Sequence, residues 1–267
     1  MNRSRCFAVS LSLALSLAAT ASASASASAQ DLPSSTAGAP AAEAAPSSPS
    51  SARDDSWKQC KDADPDARLI GCRAIIQSDK ETPSDKARAH YYRAGAYRAK
   101  KLLDLSIDDS NASIKLDPTF IDAYGERGIT LTAAGRLMDA IPDFTHVIEA
   151  DPKSAYAFYD RGLCYELLGL DDLALEDFSA AIALVPNDAF KWERRGTIYF
   201  RKSQLDLALA DYEKALTVDP QYAPALYGRG VVKMKKGDLA GGGADIAQAK
   251  HFQESVDRDM RRSGVRP

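Results

Sequence analysis

The chain is poor in residues that carry metal and nucleophile chemistry. Its 267 residues include three histidines and four cysteines. The histidines, His90, His146 and His251, are scattered, and none has a partner at the spacing of a metal site. Cys164 takes a position that other copies of a repeat give to small or apolar residues, so we expect it to be buried and unreactive. These shortages predict no catalytic residue, no metal, no cofactor and no enzymatic activity.

The chain also lacks a basic excess. It has 34 lysines and arginines against 37 aspartates and glutamates, a formal net charge of −3. Nucleic-acid-binding domains normally show the opposite balance. The glycine run at residues 241–243 lacks the Lys-Ser/Thr pair of a phosphate-binding loop. The composition therefore argues against a nucleic-acid partner.

Long hydrophobic runs are missing as well. The apolar run Phe7–Ala19 is too short for a membrane span. Arg3 and Arg5 precede it and Ala-x-Ala sites follow it, which predicts a secretory signal peptide over residues 1–29. We choose cleavage after Ala29, with the alternative sites Ala23, Ala25 and Ala27. Loss of two arginines leaves a net charge of −5. We expect an exported chain without a stable membrane span, in the periplasm or secreted.

Residues 30–53 are mostly Ala, Ser and Pro. With so few large apolar side chains, this segment cannot bury enough surface to offset the entropy of ordering. It is interpreted as a disordered linker.

Prolines mark a repeat of 34 residues after the linker. They close four units, and a fifth unit lacks its proline: 85–118, 119–152, 153–186, 187–220 and 221–252. One small residue recurs early in each unit (Ala94, Gly128, Gly162, Gly196, Gly230) and another late (Ser106, Ala140, Ala174, Ala208, Gly242). Two antiparallel helices approach closely where side chains are small, and bulky neighbours fill the adjacent holes. The pattern predicts an all-α chain of helical hairpins.

Two cysteines precede the repeats, in residues 54–84. Cys60 and Cys72 fall, within about one residue, 34 positions before the small residues of the first unit. In an exported protein such a pair is more often a disulfide than a metal site. We therefore predict a degenerate hairpin stapled by a disulfide.

The period and the recurring positions resemble the tetratricopeptide repeat family, over about residues 85–252. The resemblance implies a right-handed superhelical solenoid of antiparallel helix pairs, with a ligand in its concave groove. Pro142 departs from the pattern and should kink its helix or cost about 3 kcal/mol. Gly241–Gly243 should loosen the last helix. Residues 253–267 are expected to form a capping tail, with helix from His251 to about Arg262.

Two polar ladders run through the repeats. One position is always arginine (Arg93, Arg127, Arg161, Arg195, Arg229) and another always aspartate (Asp109, Asp143, Asp177, Asp211, Asp245). A row of arginines along one face could bind acidic ligands. Because both partners recur together, we favour ion pairs inside each repeat or to the next one.

The resemblance also implies which side chains line the groove. Carried over position by position, it gives Tyr91, Tyr156, Tyr159, Phe190, Glu193, Arg194, Phe200 and Tyr227. Tyrosine and phenylalanine are good interface anchors because they are large and lose little rotamer entropy. Several of these side chains could instead pack between repeats.

The sequence thus predicts a non-enzymatic scaffold or adaptor that binds a protein or peptide of unknown identity. The first alternative is a structural module that associates with itself, which would make a homodimer. The second, less favoured, is a cofactor carrier or an enzyme.

Overall fold

The computed structural model describes residues 49–267. The predicted signal peptide and residues 30–48 of the predicted linker lie outside this part of the chain. Thirteen α-helices are described: α1 (Pro49–Cys60), α2 (Pro65–Gln77), α3 (Pro83–Ala99), α4 (Leu103–Leu116), α5 (Ile121–Ala133), α6 (Leu137–Ala150), α7 (Ala155–Leu167), α8 (Asp171–Leu184), α9 (Ala189–Arg201), α10 (Leu205–Val218), α11 (Ala223–Lys235), α12 (Leu239–Phe252) and α13 (Val256–Arg262).

Successive helices pack as hairpins, so the described part is an all-α solenoid, as predicted. Helices α3 to α12 form five hairpins, which we number repeat 1 (α3/α4) to repeat 5 (α11/α12). The first helices of neighbouring repeats also contact one another: α3 meets α5, α5 meets α7, and α9 meets α11. The first helices therefore line the inner, concave face.

The turn between the two helices of each repeat has one conformation. Its middle residue has a positive φ in all five repeats, at Lys101 (63°), Gly135 (75°), Gly169 (74°), Ser203 (59°) and Gly237 (95°). This left-handed conformation is easy for glycine and strained for other residues. Its recurrence every 34 residues places the five turns along one edge of the solenoid.

Close helix contacts occur where the repeat pattern places its glycines. A Cβ added to one of them would lie only 2.9–3.2 Å from the aromatic ring of the second helix, in the pairs Gly128/Phe144, Gly162/Phe178 and Gly196/Tyr212. All three rings are fully buried. In repeats 2, 3 and 4 the small residue and the ring therefore form the core of the hairpin, as the sequence predicted.

The N-terminal hairpin α1/α2 contains the predicted disulfide. Cys60 and Cys72 are joined, with an S–S distance of 2.05 Å, and both are buried. By the loop-entropy model, a closed loop of this size stabilises the fold by about 3 kcal/mol. The predicted linker boundary is wrong, because α1 already starts at Pro49. Arg53, assigned to the linker, donates to both carboxylate oxygens of Glu81 at 2.7 and 2.8 Å.

Pro142 does not break its helix. Helix α6 is continuous from Leu137 to Ala150 with Pro142 inside it. Proline removes the hydrogen bond to the carbonyl four residues earlier, which belongs to Met138. Both residues are exposed, so water can satisfy that carbonyl. The exposed position explains why the proline is tolerated.

The C-terminal tail differs from the single helix predicted over residues 251–262. Helix α12 ends at Phe252, and the short helix α13 starts at Val256. Met260 and Gly264 stand 34 residues after Leu226 and Gly230 of repeat 5. The tail is therefore the beginning of a sixth repeat. It does cap the solenoid, because Val256 and Met260 are buried in the core of the last repeats.

Candidate binding surface on the concave face

The arginine and aspartate ladders pair inside each repeat. Every arginine donates through Nε and Nη2 to both oxygens of the aspartate 16 residues later, at 2.6–2.9 Å. In three repeats Nη1 also reaches the second helix of the preceding repeat: Arg127 donates to Asn111 Oδ1, Arg161 to Thr145 Oγ1 and Arg195 to Ser179 Oγ. These arginines tie neighbouring hairpins together, which leaves them little capacity for a ligand.

Two ladder aspartates, Asp109 and Asp211, differ in their hydrogen-bond partners and in the direction of their pKa shift. Burial works against the charged form of Asp109, but Arg93 and His90 both bind it and hold its pKa below the usual value. Asp211 has Arg195 alone, and burial raises its pKa. His90 therefore belongs to the ladder.

Five of the predicted groove residues are accessible on the concave face. Tyr156 and Phe190 are 44% and 56% exposed. Tyr91, Tyr159 and Arg194 are half-buried. The ring of Tyr159 also packs on Phe178, with centroids 5.6 Å apart, so it contributes to the core as well as to the surface.

The other three predicted groove residues are buried, and their assignment is corrected. Glu193 is 3% exposed and accepts a hydrogen bond from Thr197 Oγ1 at 2.8 Å. Phe200 is 8% exposed, with the ammonium of Lys235 5.7 Å from its ring centroid. Tyr227 is fully buried.

Tyr227 is buried because the tail lies over it. Its hydroxyl donates to Asp257 Oδ1 in α13 at 2.5 Å. Beyond α13, Arg201 of α9 donates to the carbonyl of Ser263 at 3.3 Å, and Val265 is fully buried. The tail therefore covers the concave side of repeat 5 and reaches repeat 4.

A cluster of partly and fully buried charges lies beside this covered region. Arg201 donates to Glu166 Oε1 at 2.9 Å and to Asp171 Oδ1 at 2.6 Å. Arg194 lies between Glu166 and Glu193, at N–O distances of 3.7 and 3.8 Å. Burial raises the pKa of Glu193. Burial also works against the charged form of Arg194, but the neighbouring Glu193 and Glu166 outweigh it and raise the pKa of Arg194. The cluster thus holds three carboxylates and two arginines, and Glu166 Oε2 and Arg194 Nε are buried in it without a hydrogen-bond partner among the described residues.

Asp160 is a half-buried carboxylate of α7. Burial raises its pKa from 3.8 to about 6, although Lys191 and Arg98 oppose the shift. In the native state the charge is therefore unfavourable above about pH 6. Below about pH 4 the carboxyl is protonated in both folded and unfolded chains, and the penalty is absent.

We expect Asp160→Asn to stabilise the protein in a pH-dependent way. The pKa rise of about two units corresponds to about 3 kcal/mol at about 1.4 kcal/mol per unit. Solvent screening at this partly exposed position reduces the effect, so the variant should gain about 1–2 kcal/mol near pH 7.5 and almost nothing near pH 4. Urea denaturation of both proteins at the two pH values measures this. A variant less stable than wild type at neutral pH would mean that attraction to Lys191 and Arg98 outweighs desolvation.

An aromatic cavity opens at the other end of the concave face, between α1, α3 and α5. Its volume is about 610 Å³, and four aromatic side chains line it: Trp57, Tyr91, Tyr92 and Phe120. The ring of Tyr91 lies 5.2 Å from Tyr92 and 5.3 Å, edge-on, from Phe120. Burial, with a smaller effect of Asp122, raises the pKa of Tyr91 to about 12.

Charged side chains of both signs surround this aromatic cavity: Arg53, Asp54, Lys61, Asp85, Arg88 and Asp122. Within residues 49–267, Arg88 and Asp122 form no ion pair. The lining thus combines four aromatic side chains with charged ones, and aromatic and arginine side chains are enriched at protein interfaces.

Sequence reasoning found Tyr91 but missed the other three aromatic residues. It predicted a degenerate hairpin here but carried the groove positions over only to the five repeats, so α1 was left out. The available signal was the repeat itself, because Trp57 stands 34 residues before Tyr91.

Comparison with known families agrees with the 34-residue period. Residues 126–189 match a model described as tetratricopeptide repeat, and residues 196–237 match a model described as TPR repeat. The chain carries tetratricopeptide repeats. Such repeats are typical of non-enzymatic protein-interaction scaffolds, and the matches support that role here. No curated protein sequence matches the chain.

Solved tetratricopeptide repeat structures are similar to this one. A structure of MamA is 24% identical, covers 62% of this chain and 96% of its own, and has a TM-score of 0.57. MamA from Desulfovibrio magneticus RS-1 is 20% identical, with coverages of 65% and 98% and a TM-score of 0.59. YrrB, described as a TPR protein with an unusual peptide-binding site, is 21% identical, with coverages of 73% and 98% and a TM-score of 0.58. These likenesses show a shared fold.

Within residues 49–267, no helix has both the length and the apolar character needed to cross a bilayer.

Proposed function

We propose that this chain is an exported scaffold that binds a protein or peptide in the N-terminal half of its concave groove. The aromatic cavity between α1, α3 and α5 carries the proposal. It presents Trp57, Tyr91, Tyr92 and Phe120 together, and such clusters of large rigid side chains dominate binding energy at protein interfaces.

The two ends of the groove differ in a way that supports this location. At the C-terminal end, the tail buries Tyr227 and contacts Arg201. At the N-terminal end, α1 adds a further first helix, and the cavity there is open. Tyr156 and Phe190 extend the accessible aromatic surface through repeats 3 and 4. A bound peptide would therefore run from the cavity along the first helices.

Export is the second part of the proposal. It is supported by the signal-peptide pattern in residues 1–29 and by the Cys60–Cys72 disulfide, which suits an oxidising compartment. N-terminal sequencing of the native protein should begin at Gln30. A native chain that keeps Met1 would contradict the export.

Selection from a peptide library tests the binding. The full chain is expected to enrich a peptide whose affinity falls at least tenfold in Tyr91→Ala and in Trp57→Ala, because each loses an anchor of about 1.4 kcal/mol or more. Val218→Ala is the control, since it removes an exposed apolar side chain from the end of a second helix, which does not line the cavity. Peptides that bind both groove variants as well as wild type would contradict the proposal.

A further inference from the structure

The tail after α12 carries a local excess of positive charge. Residues 256–267 contain four arginines and two aspartates, a net charge of +2. Because the whole chain carries −3, the residues before the tail carry −5. The tail is therefore a basic segment on an otherwise acidic protein.

The four arginines of the tail surround one surface depression. Its volume is about 580 Å³, and it is lined by Asp257, Arg258, Arg261, Arg262 and Arg266. All four arginines are exposed, and we call them the arginine patch. Arg261 and Arg262 follow Arg258 by three and four residues, so the three share one face of α13. Val256 and Met260, on the other face, are buried.

Three arginines of the patch form no ion pair within residues 49–267: Arg258, Arg262 and Arg266. Arg261 pairs with Asp257 at 3.0 Å. The second aspartate of the tail, Asp259, accepts hydrogen bonds from Gln253 and Ser255 at 3.0 and 2.8 Å and does not line the depression. The patch therefore keeps most of its positive charge uncompensated.

Helix stability does not explain all four arginines. A cation stabilises the last turn of a helix and is unfavourable near its first turn. Arg261 and Arg262 are in the last turn of α13, but Arg258 is in the first turn, and Arg266 lies beyond the helix. Two of the four therefore stand where the helix gains nothing from them, which points to a partner outside the tail.

The lining of the depression favours an extended anionic surface as that partner. A single small anion at its centre would meet the carboxylate of Asp257. A protein interface is normally built around an apolar or aromatic centre, and the five described residues that line this depression include no such side chain. A membrane surface with anionic phospholipids offers many separate phosphate groups, and each arginine can bind one of them.

The acidic remainder of the chain does not prevent this contact. At physiological ionic strength, charges separated by more than about 8 Å are largely screened from one another. A membrane that touches the tail therefore senses mainly the arginine patch. The aromatic cavity between α1, α3 and α5 lies on other helices, so it stays accessible.

We propose that the arginine patch attaches this protein to membranes that contain anionic phospholipids, by binding the lipid phosphates. One arginine near such a surface increases binding about fivefold. The three arginines without an ion pair should together give about a hundredfold preference for anionic over neutral membranes. The attachment is peripheral and reversible, and it does not depend on a ligand in the groove.

Co-sedimentation with vesicles tests the attachment. The chain from Gln30 onward is used, because it contains all the described helices and lacks the apolar run Phe7–Ala19, which could bind lipid by itself. At about 0.1 M salt, it should bind vesicles of phosphatidylglycerol and phosphatidylcholine in equal parts about a hundredfold better than pure phosphatidylcholine. Near 1 M salt, where the screening length is about 3 Å, binding should be lost. Equal binding to both vesicles, or binding that survives the salt, overturns the proposal.

Arg258→Gln combined with Arg262→Gln assigns the binding to the patch. Both side chains are exposed, so the fold should persist, which circular dichroism checks. Affinity for the anionic vesicles should fall about 25-fold. The matched control, Arg73→Gln with Lys115→Gln, makes the same change of net charge at two exposed positions in α2 and α4 and should bind like wild type. Unchanged binding of the first double variant, or equal loss in both, overturns the proposal.

Two soluble anions distinguish a membrane from other partners. Inorganic phosphate should release the chain from vesicles no better than chloride of the same ionic strength. Release by phosphate alone would show a site for a free anion and would overturn the membrane proposal. Binding to polyglutamate without binding to anionic vesicles would assign the patch to an acidic protein and would overturn it as well.

Discussion

Arg161→Ala is expected to lower the free energy of unfolding by about 3 kcal/mol, the range found when one partner of a buried ion pair is removed. The reason is Asp177, which is 4% exposed and accepts both of its ion-pair hydrogen bonds from Arg161, at 2.8 and 2.9 Å. The substitution leaves that carboxylate buried without a cation. It also removes the bond to Thr145, which links repeat 3 to repeat 2. Urea denaturation followed by circular dichroism measures the loss.

Arg136→Ala is the control for this prediction. Arg136 pairs with Asp139, but both side chains are more than half exposed. Exposed pairs contribute little, so the loss should stay below about 1 kcal/mol. Equal stability of Arg161→Ala and wild type would show that the ladder does not hold the repeats together. It would instead support the alternative that the arginines bind acidic ligands.

Gly242→Ala is expected to destabilise the protein by about 1–3 kcal/mol, the usual cost of an overpacked contact. Its Cβ would lie 2.4 Å from Met234 Cγ and 2.5 Å from the carbonyl oxygen of Gly230. The backbone of α11 cannot move away without separating the hairpin. Thermal and urea denaturation both report the change.

Gly243→Ala, one residue further, should have the opposite sign. No atom lies within 4 Å of its added Cβ, so the alanine fits and stabilises α12 by about 0.5–1 kcal/mol through helix propensity. The two variants together distinguish a glycine needed for close helix contact, Gly242, from one that only lowers helix propensity, Gly243. If both variants gain stability, α11 and α12 do not pack as closely as the structure shows.

The helical hairpins could be predicted because the residues that make the helix–helix contact recur within each repeat. In repeats 2 to 4, a glycine four residues after a bulky side chain, and an aromatic residue opposite it, define the contact locally. The disulfide followed from the same register, since Cys60 and Cys72 replace that contact covalently. The tolerance of Pro142 could not be predicted, because it depends on which side of α6 faces solvent.

The candidate site was predicted only in part, for a related reason. A position-by-position transfer identifies which residues of a first helix face inward, and it found Tyr91, Tyr156 and Phe190. It does not show what covers them. Tyr227 is instead covered by the tail. The tail follows the register of a sixth repeat, but only one incomplete copy is present, so its signal in the sequence is weak. The cavity was missed because Trp57 lies in a helix that lacks the repeat's glycine.

Hydrogen exchange of the full chain, with and without the selected peptide, tests the location of the binding site most directly. The account predicts slower exchange on peptide binding in α1, α3 and α5, around Trp57, Tyr91 and Phe120, with little change in α11 and α13. Protection confined to the second helices, or to the tail over Tyr227, would contradict it.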